Sequence, residues 1–273
     1  MSTNIRTSDT FRIVSERGAG GDGIVYEAWH TRLEKCVAVK ANKGRAAVNI
    51  KAQYYEYEAL RSVHSPYLPK VYDCLPESDR VLMVMEYIAG DSFAVLLDNG
   101  RRFSRPSVIK WYFQIASALE DIHRQGVCHR DIKPANIMLK PGGEVCLIDF
   151  NNAIVRGSAA RLISRSFGYA SPEQSEIYER IKTMGIGLST YQLTKMINDI
   201  DWKRSDIYSL GASMYHILTG IRPRERADDV AANRKFGLFI SGIESIIDRS
   251  MQPEPSKRFK SAAELLSALK KLQ

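Results

Sequence analysis

Apolar positions recur at two different periods along this chain, and the change falls near residue 90. From Phe11 to Val39, short runs such as Ile24-Val25-Tyr26 and Val37-Ala38-Val39 alternate with glycine-bearing turns, a pattern that predicts antiparallel strands. Val81-Leu82-Met83-Val84-Met85 is a further apolar run of strand length, followed by Gly90 as a hinge. Between these runs, Val48 to Val63 is charged and aromatic, with helical spacing at Tyr57 and Leu60. Later the period lengthens. Ile115, Leu119 and Ile122 mark one helix face, and Ile207, Leu210, Met214 and Leu218 mark another. Ser261 with Glu264 predicts a capping box before Leu265, Leu269 and Leu272. The expected class is α+β with two lobes: a small β-rich lobe over about 11–88 and a larger helical lobe over about 89–273, divided near 86–91. No repeat or long linker separates them, so they should act as one unit with a site in the cleft.

Composition narrows the class without naming the chemistry. The chain has 273 residues, 44% of them hydrophobic, enough for a substantial core. No apolar stretch is long enough to span a bilayer, and Met1 to Thr10 is polar, which predicts a cytoplasmic protein with no membrane segment. Cys36, Cys74, Cys128 and Cys146 are far apart and form no C-x-x-C pair, so buried thiols are expected, without disulfide or zinc. The net charge of +8 is scattered over Lys43, Arg45 and Lys51, Arg101, Arg102 and Arg105, and Lys270 and Lys271. No basic run is interleaved with aromatics, so nucleic acid is not an expected partner.

Three segments carry chemistry. Gly18-Ala19-Gly20-Gly21-Asp22-Gly23-Ile24-Val25 fits G-x-G-x-x-G-x-V, in which small residues let backbone N–H groups approach phosphate oxygens. The same spacing marks dinucleotide-binding folds, but there the glycines open a helix, whereas Ile24-Val25-Tyr26 reads as a strand. Lys40 ends the strand Val37-Ala38-Val39-Lys40. His129-Arg130-Asp131-Ile132-Lys133-Pro134-Ala135-Asn136 precedes Leu147-Ile148-Asp149-Phe150, so a base, an ammonium, an amide and a carboxylate stand at fixed spacings. Together these segments resemble the eukaryotic-type (Hanks-type) Ser/Thr protein kinases of bacteria, from Gly18 to the last helix.

The resemblance implies transfer of the γ-phosphate of ATP to Ser or Thr hydroxyls of protein substrates, including the chain itself, with Mg2+ as the metal and Mn2+ as an alternative. Gly18, Gly20, Gly23, Val25, Ala38, Met85 and the main chain of Glu86 and Ile88 would surround the nucleotide, with Asp91 or Ser92 at the ribose. Lys40 would hold the phosphates and pair with a helix carboxylate, assigned to Glu56 with Glu58 as the alternative. Asp131 would be the base, Lys133 the charge stabiliser, Asn136 and Asp149 the metal ligands, and His129 scaffold. Glu173 with Arg258, and Asp206 beneath the catalytic loop, would be structural. Ser158, Ser164 and Ser166, beside Arg156, Arg161 and Arg165, are candidate phosphosites, with Ser166 better suited to positioning substrate. Lys133 and Ser166 favour the Ser/Thr over the Tyr branch.

The chain departs from that pattern in places. Asn151 replaces the usual glycine after Asp149-Phe150, and asparagine is a residue that tolerates a left-handed backbone there. Asp22 stands where an aromatic is common and should point outward. Glu176 to Arg204 is longer than usual, with Tyr178, Ile181, Met184, Ile186, Leu188, Tyr191, Leu193 and Met196 expected to pack on the helical lobe or to bind a partner. Ile221 to Ile243 is short. Asn151 and Asp22 keep a non-catalytic scaffold open as an alternative. A small-molecule kinase is disfavoured by Ser171-Pro172-Glu173 and Asp206.

Overall fold

The computed structural model describes residues 10–19, 23–42, 54, 56–76, 81–155, 164–184, 189–223 and 242–272. Gly20, Asp22, Arg156, Ser158, Arg161, Ile186 and Leu188 lie outside these, as do the side chains of Met184 and Leu193.

β1 (Phe11–Ala19), β2 (Gly23–His30), β3 (Lys35–Asn42), β4 (Val71–Pro76) and β5 (Val81–Glu86) form one antiparallel sheet in the order β1-β2-β3-β5-β4. Phe11, Tyr26, Ala28, Val37, Val39, Ala41, Leu82 and Val84 are buried together on one face. Side chains alternate along a strand, so Ala38 and Lys40 point to the opposite face. Register extends that assignment across the sheet. Lys40 pairs with Val25 and Met83, and Ala38 with Met85, so Val25, Ala38, Lys40 and Met85 share one surface, toward the helical part.

The helical part contains α1 (Phe93–Asp98), α2 (Arg105–Arg124), α3 (Pro172–Met184), α4 (Thr190–Asn198), α5 (Trp202–Thr219), α6 (Ile243–Ser250) and α7 (Ala262–Leu269). Small sheets are inserted among them: β6 (Asp91–Ser92) with β8 (Ile137–Leu139) and β9 (Val145–Leu147), and β7 (Val127–Cys128) with β10 (Ile154–Val155). Ser104 caps α2 and Pro106 sits in its first turn, which fixes the start of the helix that buries Ile115, Leu119 and Ile122.

Two sequence expectations change in the folded chain. The spacing of Ile207, Leu210 and Met214 predicts an amphipathic α5, yet this helix is buried nearly all round. Its polar positions are small: Ser213 donates to Ser209 O at 2.8 Å and Ser205 bonds Ser171 at 2.8 Å, so hydroxyl groups go inside already satisfied. The cap of α7 is half a box. Ser261 accepts from Glu264 N–H, but Glu264 Oε2 takes the N–H of Lys260 at 2.8 Å. Apolar packing also joins the residues on either side of 86–91: Ala59, Leu60 and Leu68 are buried in the same cluster as Phe150, Ile115 and Leu119.

The long 176–204 segment packs inward. Ile177, Tyr178 and Ile181 of α3 close over Ile197, Ile200, Trp202 and Cys128, behind the catalytic loop. Tyr191 stays outside, 77% exposed.

Candidate active site

Lys40 is the junction of the cleft. Its Nζ lies 2.9 Å from both carboxylate oxygens of Glu56 and 2.9 Å from Asp149 Oδ1, tying β3, the helix over 56–61 and the end of β9 together. Glu58 points to Arg61 and solvent, so the helix carboxylate that meets Lys40 is Glu56. Burial works against the Lys40 ammonium, but the facing Glu56 and Asp149 charges outweigh it and hold the pKa above the ordinary value. Burial raises Glu56, and Lys40 only partly offsets this. Asp149 is lowered instead, because Lys40 and its hydrogen bond overcome the desolvation. Phe150 N–H also donates to Glu56 Oε1 at 3.0 Å, so one carboxylate reads both the lysine and the backbone after Asp149.

The left-handed residue of this turn is Asp149, with φ 67°, and not Asn151. A short polar side chain tolerates that region comparatively well. Asn151 therefore has no left-handed backbone to support, and replacing glycine there leaves the turn geometry intact.

Asp131 is the second junction. Its Oδ2 accepts from Lys133 Nζ at 2.8 Å and from the Asn136 and Asn152 amides, and its Oδ1 takes a short hydrogen bond from Ser166 Oγ. Lys133 Nζ is also 3.1 Å from Ser166 Oγ, so one hydroxyl lies between carboxylate and ammonium. The loop that presents Asp131 is held from below. Asp206, fully buried, accepts the His129 N–H at 2.8 Å, the Arg130 N–H at 2.7 Å and a bond from His123 Nε2 at 2.9 Å. These contacts support Arg130 at φ 66°, which turns the chain so that Asp131 faces the cleft. His129 stays behind: Nδ1 accepts Asp131 N–H, Nε2 donates to Ile148 O, and the ring lies 4.5 Å from that of Phe150. Burial lowers its pKa, which favours this neutral tautomer.

Sequence reasoning did not single out Asn152, His123, Gln174 or Trp202. Gln174 donates to the carbonyls of Arg130 and Ser164, both at 2.9 Å, and Arg130 stacks over Trp202 at 4.4 Å. A polar helix residue beside Glu173 and a tryptophan before Asp206 were the only signals, and neither has a period. His123, Cys128 and Asp206 lie close enough to share a cation, but three N–H donors already occupy Asp206 and burial raises the Cys128 pKa, keeping the thiol protonated. Cys36 and Cys74 are half-buried and Cys128 and Cys146 buried, all four free.

At the cleft's back edge, Glu86 N–H donates to Lys70 O at 2.7 Å, and Glu86 pairs in register with Val37. Met85, Glu86 and Ile88 are all half-buried. Gly90 follows at φ 118°, where a Cβ would come within 2.0 Å of Leu139 O, so no other residue fits this crossing. Asp91 is exposed, whereas the Ser92 hydroxyl caps α1. Gly18, by contrast, faces open space: a Cβ there meets no protein atom within 4 Å.

A two-lobed cleft with a buried strand lysine bridging a helix carboxylate and a second carboxylate, above a braced loop bearing Asp131, is a specific arrangement. The protein kinase domain model matches residues 11–273. This chain belongs to the protein kinase family. It is 33% identical over 76% of its length to a Streptomyces coelicolor protein named "probable serine/threonine-protein kinase SCO3848", of which it covers 29%. It is 26% identical to serine/threonine-protein kinase PknB of Mycolicibacterium smegmatis (98% of this chain, 44% of the relative) and 26% to PrkC of Bacillus subtilis (97% and 41%). The chain thus spans less than half the length of these relatives, which place it among the bacterial Ser/Thr kinases of Hanks type.

Other features of the kinase domain are framework. Glu173 and Arg258 form a two-pronged pair at 2.7 and 2.8 Å, and Arg258 spends its remaining donors on the carbonyls of Gln252, Pro253 and Arg204. Among the described phosphosite candidates, the Ser164 hydroxyl is buried and the Ser166 hydroxyl is engaged by Asp131. Among the described residues, no helix is long and apolar enough to cross a membrane.

Proposed function

We propose that this domain transfers the γ-phosphoryl group of ATP to serine or threonine hydroxyls of proteins, including its own. The observation that carries this is the Ser166 hydroxyl bonded at once to Asp131 Oδ1 and Lys133 Nζ, because an acceptor hydroxyl entering the cleft meets the same two groups. Asp131 orients that hydroxyl and takes its proton as the new O–P bond forms and the bond to the ADP oxygen breaks, the electron pair leaving with ADP. Lys133 offsets negative charge on the transferring group, and Lys40, fixed by Glu56, holds the phosphates.

Val25, Ala38 and Met85 would flank the adenine, Gly18 and Gly23 would lie toward the phosphates, and the main chain of Glu86 and Ile88 would meet the base edge, with Gly20 of the same motif outside the described residues. Asn136 donates its amide nitrogen to Asp131, which leaves its carbonyl oxygen uncommitted, and Asp149 keeps one oxygen without a hydrogen bond among the described residues. An all-oxygen pair of this kind suits a hard divalent cation, Mg2+ or Mn2+, which would supply charge neutralisation on the phosphates. Glu173, Arg258 and Asp206 hold the frame. The reading includes a cytoplasmic setting, where ATP is abundant and the free cysteines stay reduced. Ser158 is a self-modification candidate, whereas the buried Ser164 hydroxyl would accept phosphate only after its segment opens.

The test is transfer from labelled MgATP to a generic basic protein and to the chain itself. Asp131→Asn should lower the rate by about 10²–10⁴-fold with ATP affinity and melting temperature unchanged. Equal transfer by both proteins would overturn the assignment.

A further inference from the structure

Resting on that kinase reading, we propose that Arg222 makes the cleft select substrates carrying an acidic side chain immediately beside the phosphorylated residue. Phe167 and Gly168 directly follow Ser166, so they border the place where the acceptor hydroxyl meets Asp131 and Lys133. Arg222 lies on this border. Its Nη2 donates to Phe167 O at 2.9 Å, and its guanidinium stands 5.4 Å from the Tyr169 ring.

The backbone locks the arrangement. Gly168 has φ 84°, and a Cβ there would come within 2.3 Å of Pro223 O, so the backbone at Gly168 and the backbone at Pro223 are in close contact. Tyr169 is fixed in turn, its hydroxyl 2.7 Å from His216 Nδ1. The cation is therefore positioned by one hydrogen bond and a ring, on a side chain that is exposed.

Neighbouring charges single out Arg222. Arg165 stacks near Phe167 but is committed to Glu179 at 2.9 Å. Among the described residues no carboxylate pairs with Arg222. Asp98 is near enough to act on Tyr169 and His216 but makes no ion pair with Arg222. Arg102, packed on Gly220, adds positive potential from the same side. His216, lowered mainly by burial and then by Arg222, is neutral at assay pH and leaves the field to the arginines. A guanidinium beside the acceptor that has no carboxylate partner among the described residues attracts a carboxylate or a phosphate and repels a cation.

The experiment compares peptides with Ala, Asp or Lys at each position flanking one serine, using wild type, Arg222→Ala and Arg222→Glu. In wild type, kcat/KM for the Asp-flanked peptide should exceed that for the Lys-flanked peptide by about 10-fold, and high salt should shrink the difference. Arg222→Ala should bring the ratio to about one and Arg222→Glu should invert it, which a merely structural role cannot do. An unchanged ratio in Arg222→Glu, or no charge preference in wild type, would overturn the inference. Anisotropy of the same labelled peptides on Asp131→Asn separates the two readings. Charge-selective binding without transfer by wild type removes the kinase reading alone, transfer without charge selectivity removes this inference alone, and absence of both removes both.

Discussion

Two buried charge networks in this molecule use the same ingredients for opposite purposes. Around Arg258, every donor is consumed: two by Glu173 and the rest by three carbonyls, all in the helical part. Around Lys40, one ammonium is shared by two carboxylates from different elements, and Asp149 is still about a third open to solvent. A saturated pair has no alternative partner and acts as a frame. A shared lysine can exchange one carboxylate for a phosphate, because the surplus negative charge around it already makes one partner dispensable. Burial raises the pKa of Glu56, whereas Lys40 overcomes the desolvation of Asp149 and lowers its pKa.

If the difference is real, the two networks should fail differently. The largest effect on stability should come from Arg258→Ala, which strands Glu173 and three carbonyls; a loss of about 3–5 kcal/mol in urea unfolding is expected. Lys40→Met should cost less, about 1–3 kcal/mol, since Glu56 can take up a proton when its partner is lost, while phosphoryl transfer falls to background. Equal destabilisation by the two would erase the distinction.

A smaller effect is expected at the Tyr169–His216 contact. Burial, and then Arg222, lowers His216 to about 4 from an ordinary 6.5. The unfolded chain therefore binds the proton first, so stability is present above about 6.5 and drains as pH falls toward about 4. Melting temperature should drop over that window, and His216→Gln should flatten the profile. Asn151→Gly should do least: without a left-handed backbone to relieve, it should only loosen the unfolded chain, by less than about 1 kcal/mol in the same unfolding assay.

Much of the cleft was legible in order along the chain. Strand alternation puts Ala38 and Lys40 on one face, which the sheet register extends to Val25 and Met85, and the spacing from Asp131 to Asn136 is a local property of one loop. The choice between Glu56 and Glu58 was not local in that sense. Both lie on one short helix, and only its docking through Leu60 into the core decides which carboxylate reaches Lys40. Asn151 misled for a related reason: the turn needs one left-handed residue, and contacts from Lys40 and Glu56 assign it to Asp149.

The sequence by itself determined the fold class and the family, because periodicity and motif spacing are short-range and survive without coordinates. Tertiary structure alone decided that α5 is buried on all sides, that the 176–204 segment closes behind the catalytic loop, and that Gln174 and Trp202 meet Arg130. Arg222 belongs to the same group, since its place beside Phe167 depends on a contact across 55 residues. Such contacts join side chains far apart in the chain whose identities, taken singly, fit an exposed surface equally well. Only packing that excludes water turns them into partners.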